Sequence, residues 1–287
     1  MSDNGPIAGV FSSTTAQFAG LILSTALMAT PSLAGEGDAP ERPSYHDLCI
    51  GFVIDGSEST VPHGFAGQVK GIQAGLKDPA VASRLDASAN WGGTQAFAVV
   101  FSGQSKILYP PTDISDVSNR KTMANDLAVQ TRPGDIGSNN NLLSGLELAR
   151  LTFQAIEAEG TQCLKKIIDF SGDGADVFNA PDVIKAYVND MGIQDGITIH
   201  GFSFNDLRWG KYTTPFTSVG MGFDDLHGYY EEVIVSNTGF NHGFHVTLAT
   251  TPEQPEDFEQ AVIDLMRQKI IDEIAFDRTG DDGLSPG

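Results

Sequence analysis

The sequence predicts an α/β fold with an open, doubly wound, mostly parallel sheet, one antiparallel edge strand and helices on both faces. Short apolar runs alternate with amphipathic stretches, as in sheets whose parallel strands are joined by helices. One connection, at Ser102–Gly103, is a tight turn, which predicts a hairpin and thus the antiparallel edge strand. The chain has 287 residues and is 40% hydrophobic, which is enough for a substantial core.

The predicted strands are apolar runs bounded by turn residues. The first, LCIGFVI (48–54), has no charged residue and is expected to be buried on both faces. It is followed directly by the polar turn DGSEST. The other strands are predicted at 94–103, 105–110, 164–172, 196–204 and 243–249.

The predicted helices carry apolar residues at helical spacing. The first, at 65–76, has Phe65, Val69, Ile72 and Leu76 on one face. Further helices are predicted at 117–130, 141–160, 180–192 and 255–275. The sequence has no internal repeat, so one domain at 48–276 accounts for the pattern.

The N-terminal residues have the composition of a targeting segment. The apolar run FAGLILSTALMA (18–29) precedes Ser32 and Ala34, a small-x-small pattern typical of signal-peptide cleavage. This run is shorter than the roughly 20 residues that span a bilayer, and no other segment is apolar enough to do so. No Lys or Arg precedes the run, so an uncleaved anchor or a misassigned start codon stays open.

These observations give the predicted organisation of the chain. It consists of a signal peptide (1–34), a polar linker (35–47), the domain (48–276) and a disordered tail (277–287). An exported protein, periplasmic or extracellular, is therefore expected. The formal net charge is −20, from 37 acidic and 17 basic residues. This excess repels phosphate backbones and anionic lipid, so nucleic acid is excluded as a partner.

Two acidic turns follow predicted strands: DGSES (55–59) after the first and SGDGAD (171–176) after the fourth. A third stretch, DIGSNNNLLSG (135–145), begins a helix with hydroxyl and amide side chains. In doubly wound sheets, ligands bind beyond the carboxyl ends of the strands. Each turn alone is most often only a turn. Together, their carboxylate, hydroxyl and amide oxygens predict a site for a hard cation such as Mg²⁺.

With these residues the sequence resembles the von Willebrand factor A (vWA) domain, and more closely an uncharacterised family of secreted bacterial vWA-like proteins. The resemblance rests on IDGSEST, GLKDPAV, IIDFSGDGAD, GITIHGF, YYEEVIV and DFEQAVIDLMRQKIIDEIA, which are spread over 48–275. The DGSES loop looks like the D-x-S-x-S metal-ion-dependent adhesion site of that domain. The resemblance implies a Rossmann-like fold and a protein-binding, non-enzymatic function.

The resemblance also implies the metal ligands. Asp55, Ser57 and Ser59 match the first loop of the adhesion site, and the two serines match direct ligands. Asp173 matches the aspartate of the loop after the fourth strand. The implied ion is Mg²⁺, or else Mn²⁺ or Ca²⁺. Because the hydroxyl ligands are neutral, the ion stays electrophilic and can accept a carboxylate from a partner protein.

One position departs from the family pattern. The second loop normally presents a Thr in a GGT turn, and alignment of LLSGLELA with the family helix places Asn140 there. Ser138 is the alternative ligand from this loop. The departure keeps open a structural vWA domain that has lost its metal.

A metal-dependent hydrolase is a further alternative, with Asp55 as nucleophile or Asp173 holding a water. His63 is the His nearest to the first loop, and it is expected to begin a surface helix. The sequence contains no G-x-S-x-G, H-E-x-x-H or phosphate-binding glycine loop. We therefore predict that the protein is not an enzyme.

Residues 205–232 are rich in aromatic residues and leave the predicted sheet at the edge that carries the metal loops. Trp209 and Tyr212 are the candidate partner-binding residues, since aromatic side chains anchor many protein interfaces. Tyr229 and Tyr230 belong to the same stretch. The alternative is that these aromatic side chains pack against the edge of the sheet.

Cys49 and Cys163 are the only cysteines, and an exported chain permits a disulfide between them. The vWA strand order implies that their strands are parallel neighbours, with both residues at the end opposite the metal. Cys49 lies five residues before Ile54, whereas Cys163 lies seven before Phe170. That offset could exceed the roughly 7 Å limit between Cα atoms, so two buried free thiols stay an alternative.

Overall fold

The computed structural model describes residues 44–60, 62–204, 226–235, 237–238, 241–248 and 254–275. The predicted signal peptide (1–34), most of the linker (35–47) and the tail (277–287) lie outside these residues. The strands are β1 (Ser44–His46), β2 (Leu48–Asp55), β3 (Thr94–Phe101), β4 (Ser105–Asp113), β5 (Thr161–Cys163), β6 (Lys166–Gly172), β7 (Ile197–Phe204), β8 (Asn237–Thr238), β9 (Asn241–His242) and β10 (His245–Leu248). The helices are α1 (Pro62–Lys77), α2 (Pro79–Ser88), α3 (Val117–Ala128), α4 (Leu142–Ala158), α5 (Pro181–Asp195), α6 (Leu226–Tyr229) and α7 (Pro255–Ile274).

The central sheet has six strands in the order β10-β7-β6-β2-β3-β4. Neighbouring strands are parallel except β4, which pairs antiparallel with β3 at one edge. This confirms the predicted open, mostly parallel sheet with one antiparallel edge strand. The chain runs outward from β2 through β3 to β4 and then crosses to β6, so the strand order reverses between β2 and β6. Ligands of such sheets bind at this reversal point.

Helices cover both faces of the sheet, so β2 is buried throughout. Its side chains alternate between two cores: Ile50 and Phe52 pack with α1, α2, α3 and α7, whereas Val53 packs with α4, α5 and α6. This explains why β2 is a continuous apolar run rather than an alternating one. No helix in the described part of the chain has the length and apolar character needed to cross a membrane.

Helix α1 lies very close to α7 because Gly67, Gly71 and Gly75 face it at one-turn intervals. A Cβ atom built on Gly71 would lie 2.5 Å from the Cβ atom of Met266, and the other two glycines meet α7 as closely. Glycine at these positions therefore allows the two helices to pack backbone against side chain. Helix α1 follows the DGSEST turn. This packing therefore also holds in place the helix to which that turn leads.

Every predicted strand and helix is present, with boundaries that differ by no more than three residues. Several features were not predicted, among them helix α2, the short pairs β1–β5 and β8–β9, and the helical turns at 226–234. In α2 the apolar signal is weak, with only Val81 and Leu85 as buried hydrophobic residues. Its start is fixed by Asp78, whose side chain accepts a hydrogen bond from the Ala80 amide.

A disulfide joins Cys49 of β2 to Cys163 of β5, with 5.7 Å between their Cα atoms. The register offset is absorbed because β5 does not belong to the central sheet. In that sheet Cys49 pairs with Lys166, and the chain turns at 164–165 so that β5 lies beside β1 instead. The Leu164 amide donates to the His46 carbonyl at this turn. Cys163 therefore lies beside Cys49, despite the offset of two residues in the sequence.

Candidate metal site

Three loops meet at the carboxyl ends of β2 and β6, where the strand order reverses. They are the loops after β2, before α4 and after β6. Hydrogen bonds join them pairwise: the Glu58 amide to the Ser138 carbonyl at 2.9 Å, the Val177 amide to the Asn140 carbonyl at 2.9 Å, and the Asp173 amide to Asp55 Oδ2 at 3.2 Å. The backbone thus positions the side-chain oxygens of all three loops at one place.

Asp55 ends β2 and is fully buried. Its Oδ1 accepts the Ser57 amide at 2.7 Å, and its Oδ2 accepts the Asp173 amide. Burial raises the pKa of Asp55 above its ordinary value, against the lowering effect of the hydrogen bonds from Ser57 and Asp173. A cation next to this carboxylate would offset the cost of its burial.

The hydroxyl groups of the first loop connect the two aspartates. Ser57 Oγ and Ser59 Oγ are 2.8 Å apart, and Ser59 Oγ donates to Asp173 Oδ1 at 3.0 Å. Asp55, Ser57, Ser59 and Asp173 therefore form one hydrogen-bonded group of oxygens. The structure brings these four residues together.

Asn140 belongs to the loop before α4, and its backbone carbonyl accepts the Val177 amide of the loop that carries Asp173. Its side chain is 8% exposed, and its Oδ1 atom has no hydrogen-bond partner. Its Nδ2 faces Gly174, where a Cβ atom would approach it to 2.1 Å. An unsatisfied buried carbonyl costs about 1–3 kcal/mol, so this oxygen fits the role of a cation ligand. The Ser138 side chain, by contrast, is exposed.

Gln68 of α1 is a site residue that the sequence did not reveal. Its buried Oε1 accepts the Asp55 amide at 3.1 Å and Ser171 Oγ at 2.6 Å, and its Nε2 donates to the Asp55 carbonyl at 3.1 Å. Gln68 therefore ties together the ends of β2 and β6. A polar residue inside the apolar face of the predicted helix was the available signal.

Asp176 organises the loop after β6, although only Asp173 of that turn was predicted. Its Oδ1 accepts the amides of Phe178 and Asn179, each at 2.7 Å, and its Oδ2 accepts the Leu143 amide at 3.1 Å. One buried carboxylate thus holds this loop and the first turn of α4 in place.

Arg132 connects the loop after β2 to the loop before α4. Its guanidinium donates to the carbonyl of Gly56 and, at 2.6 Å, to that of Gly137. Because a guanidinium has several donors in a fixed plane, it holds both carbonyls at once. Arg132 therefore positions the loop after β2 against the loop before α4.

Tyr230 lies on the buried side of the site. A Cβ atom on Gly172 would lie 2.4 Å from the Tyr230 hydroxyl oxygen and 2.9 Å from Asp55 Oδ2, so glycine leaves the room that both groups need. Burial, and then the charges of Asp55 and Asp173, raise the pKa of Tyr230 well above its ordinary value. Its hydroxyl therefore stays neutral. Both Tyr230 and Tyr229 are buried, whereas Trp209 and Tyr212 lie outside the described residues.

No imidazole lies in the three loops. His63, the nearest in sequence, contacts Glu259 of α7 at 3.0 Å. Among the residues with described positions, no group of three or more His, Cys, Asp or Glu side chains could hold a metal ion. Hydroxyl and amide oxygens would therefore have to complete the coordination that two carboxylates begin.

Residues 46–278 match the family described as "Protein of unknown function (DUF1194)". The chain belongs to this family. No curated protein matches the DUF1194 chain.

Several solved structures are similar to the DUF1194 chain. Proximal thread matrix protein 1 from the mussel byssus, in a structure "with zinc occupied MIDAS motif", is 15% identical, with a TM-score of 0.46 over 78% of this chain and 46% of the mussel chain. The SpRpn10 VWA domain is 12% identical (TM-score 0.46; 73% and 92% covered), and BatB from Bacteroides thetaiotaomicron is 17% identical (TM-score 0.42; 77% and 99% covered). The DUF1194 chain spans about half the length of the mussel protein.

Proposed function

We propose that this protein is a non-enzymatic interaction domain. It binds a divalent cation with Asp55, Ser57, Ser59, Asp173 and Asn140, and the cation captures a carboxylate of a partner protein. The observation that carries the proposal is the buried Asn140 Oδ1, which has no hydrogen-bond partner and belongs to the loop that is hydrogen-bonded to both other loops of the site. An all-oxygen donor set suits Mg²⁺, and also Mn²⁺ or Ca²⁺.

The cation would supply a positive charge to which a carboxylate can bind. The chain's own residues fix the donors: Gln68 holds the end of β2, Arg132 holds the loop before α4, and Asp176 holds the loop after β6. Rigid loops of this kind reduce the entropy lost on binding. With two carboxylates and neutral hydroxyl and amide donors, the site does not overcompensate the charge of a divalent ion.

The proposed location is outside the cytoplasm, with residues 1–34 as the signal peptide, the domain at 48–276 and the tail at 277–287. The disulfide between Cys49 and Cys163 supports export, because oxidising compartments preserve such bonds. Trp209 and Tyr212 remain the proposed partner-binding residues of the 205–232 stretch.

Calorimetric titration with Mg²⁺ and Mn²⁺ tests the metal site. We expect heat with the wild type and none with Asp55→Ala, because Asp55 contributes one of two charged ligands. Equal heats from both proteins would overturn the proposed site. Absence of heat in both would support a structural domain without metal.

A screen of hydrolase substrates in the presence of Mg²⁺ tests the non-enzymatic part of the proposal. We expect no turnover, because the loops contain no imidazole to act as a base. Turnover by the wild type that is lost in Asp55→Ala would establish a hydrolase instead.

A further inference from the structure

The loop after β6 exposes two consecutive large apolar side chains. Val177 is 64% exposed and Phe178 is 56% exposed. The other exposed large hydrophobic residues in the described part of the chain have no such neighbour in sequence. Single exposed apolar residues are normal on protein surfaces, whereas contiguous exposed apolar surface rimmed by polar residues is typical of an interaction site.

The exposure of this pair is fixed by the backbone. The Val177 amide donates to the carbonyl of Asn140, and the Phe178 amide donates to Asp176 Oδ1. The backbone of the pair is therefore held beside Asn140, and these hydrogen bonds fix the direction in which both side chains leave it. The loop that carries Asp173 therefore also fixes the position of Val177 and Phe178.

We infer that Val177 and Phe178 form an apolar rim of the cation site, and that the partner is a protein segment in which a single Asp or Glu stands beside a large apolar residue. This inference rests on the proposed function and specifies its ligand. The side-chain carboxylate would bind at the cation while the apolar neighbour covers the rim. Apolar contacts of this kind supply much of the affinity at protein interfaces.

Charge complementarity argues for a single carboxylate rather than an acidic run. The chain has a formal net charge of −20, so a segment with several acids is repelled as it approaches. With Asp55 and Asp173 beside it, a divalent ion could bind one partner carboxylate directly, but the site would hold no excess positive charge for further acids. Affinity beyond one carboxylate then has to come from the apolar contact.

Three acetylated peptide amides provide the test: Gly-Gly-Asp-Leu-Gly, Gly-Gly-Asp-Gly-Gly and Gly-Asp-Asp-Asp-Gly. Each is titrated into Mg²⁺-loaded protein and followed by calorimetry. We expect the leucine peptide to bind about fivefold more tightly than the other two, from partial burial of one Leu side chain. In Phe178→Ser this preference should fall below about twofold, with unchanged Mg²⁺ heat.

Leu151→Ser is the matched control, since Leu151 is 59% exposed on α4 and lies in none of the three loops. It should keep the full preference for the leucine peptide. Equal binding of the three peptides by Mg²⁺-loaded wild type, or an unchanged preference in Phe178→Ser, would overturn the inference and leave the metal site intact. Absence of Mg²⁺ heat from the wild type would overturn both.

Discussion

Asn140 lies in the loop before α4, and its Oδ1 is buried without a hydrogen-bond partner. We expect Asn140→Ala to lower Mg²⁺ affinity about tenfold, because one oxygen donor is lost while the loops keep their backbone contacts. Asn139→Ala is the control, since the Asn139 side chain is exposed. Calorimetry on the two variants is the measurement. Equal affinities would show that Asn140 takes no part.

Gly172 separates the Tyr230 hydroxyl from Asp55 Oδ2. We expect Gly172→Ala to lower the free energy of unfolding by about 1–3 kcal/mol, because the added methyl group overlaps the hydroxyl oxygen. Tyr230→Phe in that background should recover part of the loss, since it removes this oxygen. Gly134→Ala is the control, with no atom within 4 Å of its Cβ position. Urea unfolding checks all three, and equal losses from the two Gly→Ala changes would contradict the explanation.

At the scale of elements, the disulfide attaches β5 to β2 across 114 residues of sequence. We expect the double variant Cys49→Ser, Cys163→Ser to lose about 4–5 kcal/mol of unfolding free energy, which is the chain-entropy value for a loop of this length. Denaturant unfolding of the oxidised wild type and the variant gives the difference. Mass spectrometry after alkylation without reduction must find no modified thiol in the wild type. Two alkylated cysteines would refute the disulfide.

The strands and helices could be predicted because their signals are local. Apolar runs such as 48–54 and the spacing of Phe65, Val69 and Ile72 depend only on neighbouring residues. In α2 that signal is weak, so tertiary packing and the Asp78 cap decide its structure. The separation of β5 from the central sheet depends on its pairing with β1, over 100 residues earlier, and no local pattern shows it.

The candidate site was predictable where a residue follows a strand directly, as Asp55, Ser57 and Asp173 do. Gln68 was missed because its contact with Ser171 spans 103 residues of sequence. Tyr230 was missed as a site residue for the same reason: the closeness of its hydroxyl to Asp55 follows from tertiary packing alone. Residues that position the candidate ligands are thus less visible in a sequence than the candidate ligands themselves.

At the scale of the whole molecule, a buried group of charges connects α7 to the middle of the sheet. Lys269 Nζ contacts Asp169 of β6 at 2.5 Å and also contacts Glu273, and all three side chains are buried. Burial, and then the charge of Asp169, raise the pKa of Glu273 well above its ordinary value, against the attraction of Lys269. The folded protein therefore keeps a proton on Glu273 at pH values where the unfolded chain has lost it.

Stability must consequently depend on this proton. Because the folded state binds it more tightly, the free energy of unfolding falls as the pH rises above about 4.3, the ordinary value for Glu, toward the raised pKa. Glu273→Gln cannot ionise, so we expect it to gain stability relative to the wild type between about pH 4.5 and pH 8. Urea unfolding at several pH values measures the gain. Parallel pH profiles for the variant and the wild type would contradict it.

Asp264→Asn is the control for this pH dependence, since Asp264 is an exposed acid on the same helix. Its stability should follow the wild-type profile at every pH. A relative gain equal to that of Glu273→Gln would assign the effect to the net charge of −20 and not to the buried group.

The central claim is that a divalent cation binds where the loops after β2, before α4 and after β6 meet. Anomalous diffraction from crystals grown with Mn²⁺ tests it most directly, because the signal locates the ion without assuming its ligands. We predict one peak within coordination distance of oxygens from Asp55, Ser57, Ser59 and Asp173, with Asn140 Oδ1 turned toward it. A peak bound elsewhere, or none at saturating Mn²⁺, would contradict the claim.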